Sequence, residues 1–188
     1  MSFSSESDLD FQMTIFRQHG LIRQLALTNR IETLPSAAYF PRLQWVNRLG
    51  SEFVKSLPIG EFCKKSHANL REYFTSKANN HDSLNIADVW DYDDAILNWY
   101  YELEHYEFNS SKVESGIQIV CSATEQIRCY FQKCIAEVVY KFAYRVVCIY
   151  SPGCKKEKLP FVPSKNEKIE TIYSLGFMIL TQIIFKFE

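Results

Sequence analysis

The sequence predicts an all-α fold, a single-domain bundle of five or six helices around one long central helix. Gly and Pro number only six each among 188 residues, which disfavours architectures built from strands and tight turns. Hydrophobic residues make up 47% of the chain, so a full core can form without help from a metal ion. Apolar residues also recur at steps of three and four, as they do in amphipathic helices.

Helix-breaking residues divide the first part of the chain into three predicted helices. The first helix is capped by Ser7 or the residue after it and ends at Pro35. The second follows directly and stops near Pro58, and the third runs from Gly60 to about Lys77. Short helices in this order are typical of a bundle.

The segment 85–109 predicts a fourth, amphipathic helix of unusual composition. It contains seven acidic and seven aromatic residues and no lysine or arginine, and Asn85 is a suitable N-cap. Steps of four and three place one apolar set on the same side, namely Tyr92, Ile96, Trp99, Leu103 and Tyr106. The acidic residues are therefore expected on the opposite, solvated side.

The longest predicted helix, residues 112–150, supplies the centre of the bundle. Its apolar stripe follows steps of four and three and drifts around the helix, as expected where a long helix packs against successive neighbours. The stripe includes Ile127 and Phe131. Pro152 ends this helix.

The elements divide the chain into four parts. Residues 1–10 are expected to be a flexible N-terminus, and residues 11–154 form the helical bundle domain. Residues 155–168 are typical of an exposed basic linker, and residues 169–188 of an apolar segment that docks on the bundle. The uncharged run 171–185 is shorter than the roughly 20 residues of a membrane-spanning helix, so membrane contact is not favoured.

Charge is strongly segregated although the net charge is only −1. Residues 11–80 hold ten basic and four acidic residues, whereas residues 81–109 hold eight acidic residues and no basic one. Such blocks pair within one fold or meet a partner of opposite charge. Because one molecule carries both kinds of block, a homo-oligomer is also an expectation.

The sequence predicts a non-enzymatic binding protein, an adaptor or regulator that contacts another protein or a second copy of itself. An exposed aromatic residue beside acidic side chains makes a good anchor for a partner. The predicted partner surface consists of Trp45, Asp91, Asp94, Trp99, Glu102 and Tyr106. The alternative for the three aromatic residues is the core, where aromatic side chains at helical spacing usually pack.

Nucleic-acid binding by the basic helices of residues 11–80 is the alternative function. Basic side chains on three predicted helices, with aromatic residues between them, suit a phosphate backbone. The candidates are Arg17, Arg23, Arg30, Arg42, Arg48, Lys64, Lys65 and Arg71. The near-zero net charge and the lack of a recognisable DNA- or RNA-binding motif count against this function.

A third function rests on a His-Asp pair. His81 and Asp82 are adjacent, with His67 before them and Asp91 or Asp94 after them. This order resembles the metal-binding residues of helical phosphohydrolases of the HD superfamily. The resemblance implies a metal-dependent phosphohydrolase whose metal is held by four of these side chains.

Apart from this phosphohydrolase alternative, neither a metal ion nor a cofactor is expected, and no catalytic residue is assigned. The six cysteines lack the two-residue spacing of structural zinc sites. Gly-rich phosphate loops and the Gly-x-Ser-x-Gly motif of hydrolases are absent from the sequence. The first ten residues lack the basic and apolar regions of a secretory signal, so we expect a cytoplasmic or nuclear protein with mostly reduced cysteines.

Overall fold

The computed structural model describes residues 5–57, 59–79, 81–106, 115–134, 143–154 and 160–164. In these ranges the chain forms six helices and four strands, so the predicted all-α helical bundle is wrong. The helices are α1 (Ser5–Leu27), α2 (Ser51–Ser56), α3 (Ile59–Lys64), α4 (His67–Lys77), α5 (Asp94–Leu103) and α6 (Ser115–Ile119). The strands are β1 (Gln44–Trp45), β2 (Ser83–Val89), β3 (Gln126–Lys133) and β4 (Tyr144–Ser151).

The four strands form one mixed sheet in the order β1-β3-β4-β2. β4 is antiparallel to both of its neighbours, with Cys148 opposite Cys129 of β3 and Asn85 of β2. β1 is parallel to β3 and pairs only with the first two residues of β3, Gln126 and Ile127. The rest of the outer edge of β3 therefore has no strand beside it in the described part of the chain.

β3 and all of β4 except its last residue lie inside the segment predicted to be the long central helix, residues 112–150. Ile127 and Phe131 are four residues apart, and residues at this spacing share a face in a strand as well as in a helix. Cys129, between them, packs in the same core, as a strand requires. β4 is buried from its second to its seventh residue, and a fully buried strand has no alternation that distinguishes it from a buried helix.

The other predicted helices fit the structure in part. The first is confirmed as α1, although it already begins at Ser5 and ends at Leu27. The predicted second helix is mostly irregular chain and turn, with β1 and the short α2. The predicted third helix is divided by Ser66, which caps α4. Asn85 lies in β2 rather than at a helix cap, and α5 begins only at Asp94.

The sheet lies between two layers of helices, which makes the fold an α-β-α sandwich. β4 contacts both layers, with Val146, Cys148 and Tyr150 on one face and Val147 and Ile149 on the other. The first face packs against α1, α5 and α6 in what we call the α1 core. The second face packs against α2, α3 and α4 in what we call the α2 core.

All six cysteines are paired, in the bonds Cys63–Cys134, Cys121–Cys154 and Cys129–Cys148. The expectation of mostly reduced cysteines is therefore wrong. The partners are 71, 33 and 19 residues apart, so the tertiary fold brings them together and local spacing does not. The first bond ties α3 to the end of β3, and the third joins directly opposite residues of β3 and β4.

Part of the predicted basic linker, residues 155–168, packs on the fold. Pro163 forms an isolated β-bridge with Ala37, and Phe161 is buried in the α1 core. The predicted docking segment, residues 169–188, lies outside the described residues. None of the helices described is both long and apolar enough to cross a membrane.

Candidate functional site

The acidic and aromatic segment forms a surface along one side of α5. The opposite side of this helix fills the α1 core with Ala95, Ile96, Trp99 and Leu103. On the outer side, Leu97 is 46% exposed and Tyr101 is 57% exposed. They are four residues apart, so their side chains are neighbours on the helix. Asp94 and His105 are exposed at the two ends of this row, and we call the four residues the α5 surface.

Negative charge collects at the amino-terminal end of the α5 surface. Asp91, Asp93 and Asp94 lie at the start of α5, and Tyr92 donates a hydrogen bond of 3.2 Å to Asp10 of α1. Burial, together with the three neighbouring carboxylates, raises the pKa of Asp93 above its usual range. The ion pairs between described residues include neither Asp91 nor Asp94.

The fold separates the residues of the predicted partner surface. Asp91 and Asp94 are exposed beside α5. Trp99 and Tyr106 are only 1% and 6% exposed and belong to the α1 core. These two aromatic side chains therefore lie in the core, which is the alternative that the sequence left open for them.

Glu102 and Trp45, the other two residues of that set, make contacts within the protein. Glu102 is half-buried and accepts a hydrogen bond of 3.0 Å from the backbone N–H of Gly116. Trp45 lies on β1, where its ring meets Phe16 edge-on and the guanidinium of Arg128 lies 5.0 Å from the ring centre. Trp45 is at the opposite edge of the sheet from β2, which leads to α5.

Sequence reasoning missed the large apolar residues that are exposed near these acids, Trp90, Leu97 and Tyr101. Trp90 directly follows β2 and is 68% exposed. A helix that begins at Asp94 carries apolar residues on both of its sides. The spacing of Leu97 and Tyr101 was visible in the sequence, but it did not show which side packs on the sheet.

One of the basic candidates for nucleic-acid binding, Arg23, is a buried structural residue. Arg23 is 5% exposed, and burial lowers its pKa to about 10. Its guanidinium donates hydrogen bonds of 2.8 to 3.2 Å to the backbone oxygens of Ile119, Cys121 and Thr124. Arg23 thus ties α1 to the segment that precedes β3.

The remaining basic candidates are Arg17, Arg30, Arg42, Arg48, Lys64, Lys65 and Arg71. Arg17 is exposed on α1, on one side of the sheet. Lys64 and Arg71 are exposed on α3 and α4, on the other side. Because the sheet separates α1 from α3 and α4, these helices do not present one continuous basic face.

A charged cluster joins α3, α4, β2 and β4 on the α2 side of the sheet. Arg145 is 3% exposed and donates to both carboxylate oxygens of Asp88, at 2.6 and 2.7 Å, and to the Phe62 carbonyl at 2.7 Å. Nε2 of His67 lies 3.0 Å from Asp88. Burial raises the pKa of Asp88, but the hydrogen bonds from Arg145 and His67 outweigh it and hold this pKa below its usual value.

The His-Asp pair of the phosphohydrolase alternative lies apart from this cluster. His81 is exposed and Asp82 is half-buried, just before β2. His67 is engaged with Asp88 instead. In the described part of the chain, none of these residues belongs to a group of side chains close enough to hold a metal ion together.

A buried polar chain lies in the α1 core. His19 is fully buried, with Nδ1 2.7 Å from the Ile15 carbonyl and Nε2 2.8 Å from the Tyr150 hydroxyl. Asn85 donates to the same hydroxyl at 3.2 Å. Burial lowers the pKa of His19 to about 4 and raises that of Tyr150, so both side chains are neutral at pH 7.

Among the described residues, His19, Cys129 and Cys148 form the one group whose ligand atoms are close enough for a metal ion, within 4.8 Å of one another. The two sulfur atoms are joined in a disulfide bond, and both ring nitrogens of His19 are hydrogen-bonded. Metal ligands of this kind must be thiolates and a free imidazole nitrogen. The group therefore stabilises the core as it stands and does not offer a ligand set.

Neither a protein-family model nor a curated protein matches the sequence. Solved structures with a similar fold include the following two. Venom allergen-like protein 4 of Schistosoma mansoni (SmVAL4) is 23% identical with a TM-score of 0.64, and the likeness covers 88% of this chain and 99% of that one. BmVAL-1 is 15% identical with a TM-score of 0.57, and the likeness covers 82% of each chain. The chain therefore shares its α-β-α sandwich fold with these two structures, and this likeness also contradicts the predicted helical bundle.

Proposed function

We propose that the protein is a non-enzymatic binding protein, an adaptor or regulator, that contacts a partner protein through the α5 surface. The observation that supports this most strongly is the exposure of Leu97 and Tyr101 beside the carboxylates of Asp91 and Asp94. Large apolar side chains on a helix, next to carboxylates that pair with no cation among the described residues, suit a surface with an apolar pocket and a basic rim.

The packing of α5 favours this role because it holds the exposed side chains in place. Trp99 and Leu103 are 1% and 0% exposed, and they anchor the helix in the α1 core. Glu102 adds a hydrogen bond to Gly116 of α6. A rigid helix loses little conformational entropy when its surface is covered, which favours binding.

The contacts of His19 and His67 are those of structural side chains. His19 bonds to the Ile15 carbonyl and Tyr150, and His67 pairs with Asp88. In the ranges that the structure describes, these contacts join neither histidine to a serine or cysteine that could act as a nucleophile. A histidine base next to such a nucleophile is the arrangement that covalent hydrolases need.

The disulfide bonds favour a compartment that differs from the expected cytoplasm or nucleus. Disulfides persist in oxidising surroundings such as the secretory pathway and the extracellular space, and they are rare where thiols are kept reduced. All six cysteines are paired here. We therefore place the binding function in an oxidising compartment.

Affinity capture with the full-length chain tests the proposed surface. One bait carries Leu97→Ala and Tyr101→Ala, and the matched control bait carries Leu9→Ala and Met13→Ala, which alter similarly exposed apolar residues of α1. A partner that is captured by the wild-type and control baits and lost from the α5 bait supports the proposal. Equal capture by all three baits contradicts it.

Two further measurements separate the partner classes. Half of each capture is treated with nuclease, and a partner lost on this treatment would favour nucleic-acid binding over the α5 surface. Sedimentation of the purified chain tests self-association. A dimer that Leu97→Ala and Tyr101→Ala disperse would make a second copy the partner.

A further inference from the structure

The outer edge of β3 is open beyond its first two residues in the part of the chain that the structure describes. The last contact with the chain beside it is the hydrogen bond of 3.0 Å from the Val46 N–H to the Ile127 carbonyl. The chain then crosses to the α2 side of the sheet, where the Tyr130 hydroxyl donates to the Leu49 carbonyl at 2.7 Å. No described strand follows the edge of β3 from Cys129 onward.

The backbone N–H and C=O groups of β3 point alternately to its two edges, and this alternation shows which of them lie at the open edge. The Ile127 carbonyl faces β1, whereas the Cys134 N–H faces the other way and donates to the Ala143 carbonyl at 2.8 Å. Successive residues of a strand direct their N–H and C=O groups to opposite edges. Phe131 and Lys133 therefore direct theirs to the open edge, where an added strand would bind them.

An apolar pocket of about 190 Å³ lies beside this edge. It is lined by Val54 of α2, by Leu57 directly after α2 and by Phe62 of α3. Three successive residues of β3 complete the lining, Tyr130, Phe131 and Gln132. A strand added to β3 would alternate its side chains between the two faces of the sheet. Those on the α2 side would meet the pocket, which suits one apolar side chain.

Two lysines contribute positive charge to this region. Lys55 lines the pocket, and Lys133 is exposed at the strand edge. The ion pairs between described residues include neither lysine. Positive charge beside an open edge suits a peptide with acidic residues better than a second copy of β3, whose own edge carries a lysine and no acidic residue.

We propose that the β3 edge and the adjacent pocket bind an extended, acidic peptide segment of a partner protein by strand addition, with one apolar side chain in the pocket. The backbone groups of Phe131 and Lys133 supply the hydrogen bonds, and the pocket supplies selectivity for the apolar residue. This site is distinct from the α5 surface, because α5 follows β2 at the opposite edge of the sheet.

Hydrogen exchange in the full-length chain tests whether the edge is open. The amides of Phe131 and Lys133 should exchange faster than those of Tyr130 and Gln132, which face β4. Equal protection of all four amides in the free protein would mean that another segment or a second copy already covers the edge. That result would overturn the proposal.

The binding probe is a short labelled peptide in which glutamate alternates with valine around one central phenylalanine. The control peptide has lysine in place of each glutamate. Fluorescence anisotropy should show saturable binding of the glutamate peptide and at least about tenfold weaker binding of the lysine peptide. Binding should also slow the exchange of the Phe131 and Lys133 amides. The absence of saturable binding by the glutamate peptide would overturn the proposal.

Substitutions at Lys133 separate strand addition from a charge effect. Lys133→Ala removes the charge and keeps the N–H, whereas Lys133→Pro removes both at an edge position where proline is tolerated. We expect about threefold weaker binding for the alanine variant and about tenfold or more for the proline variant. Equal affinities of the two would overturn strand addition. If the proline variant does not fold, Val54→Trp, which fills the pocket, should also weaken binding about tenfold, and unchanged affinity there would equally refute the site.

Discussion

The Tyr150 hydroxyl donates a hydrogen bond to Nε2 of His19 and so joins β4 to α1 across 131 positions of the sequence. The direction of this bond follows from the other ring nitrogen. Nδ1 lies 2.7 Å from the Ile15 carbonyl, which can only accept, so Nδ1 carries the proton and Nε2 is the acceptor. The core is therefore built around a neutral imidazole.

The buried imidazole predicts a loss of stability in mild acid. Burial lowers the pKa of His19 from 6.5 to about 4, although the hydrogen bond to Ile15 opposes the shift. Because the unfolded chain binds this proton at a higher pH than the folded chain, the free energy of unfolding falls as the pH drops from 6.5 towards 4. The contribution is roughly 3 kcal/mol, and urea unfolding at a series of pH values measures it.

His19→Gln is the control for this pH dependence. The amide keeps an acceptor for the Tyr150 hydroxyl and has no proton to bind in this range. The variant should be less stable than the wild type at pH 7 and should show a flatter dependence between the two pKa values. An unchanged slope would show that His19 is not the group responsible.

The sequence indicated α1 because the periodicity of a helix involves residues that are close together in the chain. It did not indicate the sheet because strands pair with partners that are distant in the chain. Phe11, Ile15 and Ile22 recur at helical steps, and the helix buries all three. The low content of Gly and Pro disfavours strands joined by tight turns. β1 and β3 are instead separated by five helices and one strand, and β2 and β4 by two helices and one strand, so the lack of tight turns did not argue against these two pairs.

The sequence predicted which acidic residues of the candidate surface are exposed, but it did not predict which aromatic residues are exposed there. The exposure of Asp91 and Asp94 follows from the cost of burying unpaired carboxylates. Trp99 and Tyr101 are both aromatic and lie on different sides of α5, and only the packing of the helix on the sheet decides which of them is buried. The disulfide partners were hidden for a related reason, since their proximity depends on the whole fold.

Two aromatic residues of α5 should respond in opposite ways to truncation. Trp99 is 1% exposed in the α1 core, so Trp99→Ala should lower the free energy of unfolding by about 3 to 5 kcal/mol. Tyr101 is 57% exposed, so Tyr101→Ala should change it by no more than about 0.5 kcal/mol. Urea unfolding of both variants measures the difference, and equal losses would mean that the two sides of α5 are assigned wrongly.

The three disulfide bonds should leave almost no free thiol in the native protein. Titration of thiols in unfolded, unreduced protein measures this directly, and six reactive thiols would contradict the pairing. Replacing Cys121 and Cys154 together by alanine opens a loop between residues 33 positions apart. Chain entropy predicts a loss of about 3 to 4 kcal/mol, visible as a lower midpoint of urea unfolding. An unchanged midpoint would show that this bond does not constrain the unfolded chain.

Two aspartates of the acidic segment offer a matched test of burial. Asp88 holds the buried guanidinium of Arg145 through two hydrogen bonds, so Asp88→Asn leaves that charge uncompensated. The expected loss is about 3 to 5 kcal/mol. Asp91→Asn makes the same chemical change on an exposed side chain and should alter stability by no more than about 0.5 kcal/mol.

A double-mutant cycle then separates the ion pair from other effects at Asp88. Arg145→Met removes the charge that Asp88→Asn leaves unpaired, so the double variant should lose less stability than the sum of the two single losses. Urea unfolding of the four proteins at pH 7 gives the coupling energy. Additive losses would mean that Asp88 and Arg145 stabilise the fold independently, and that the sheet does not depend on their pairing.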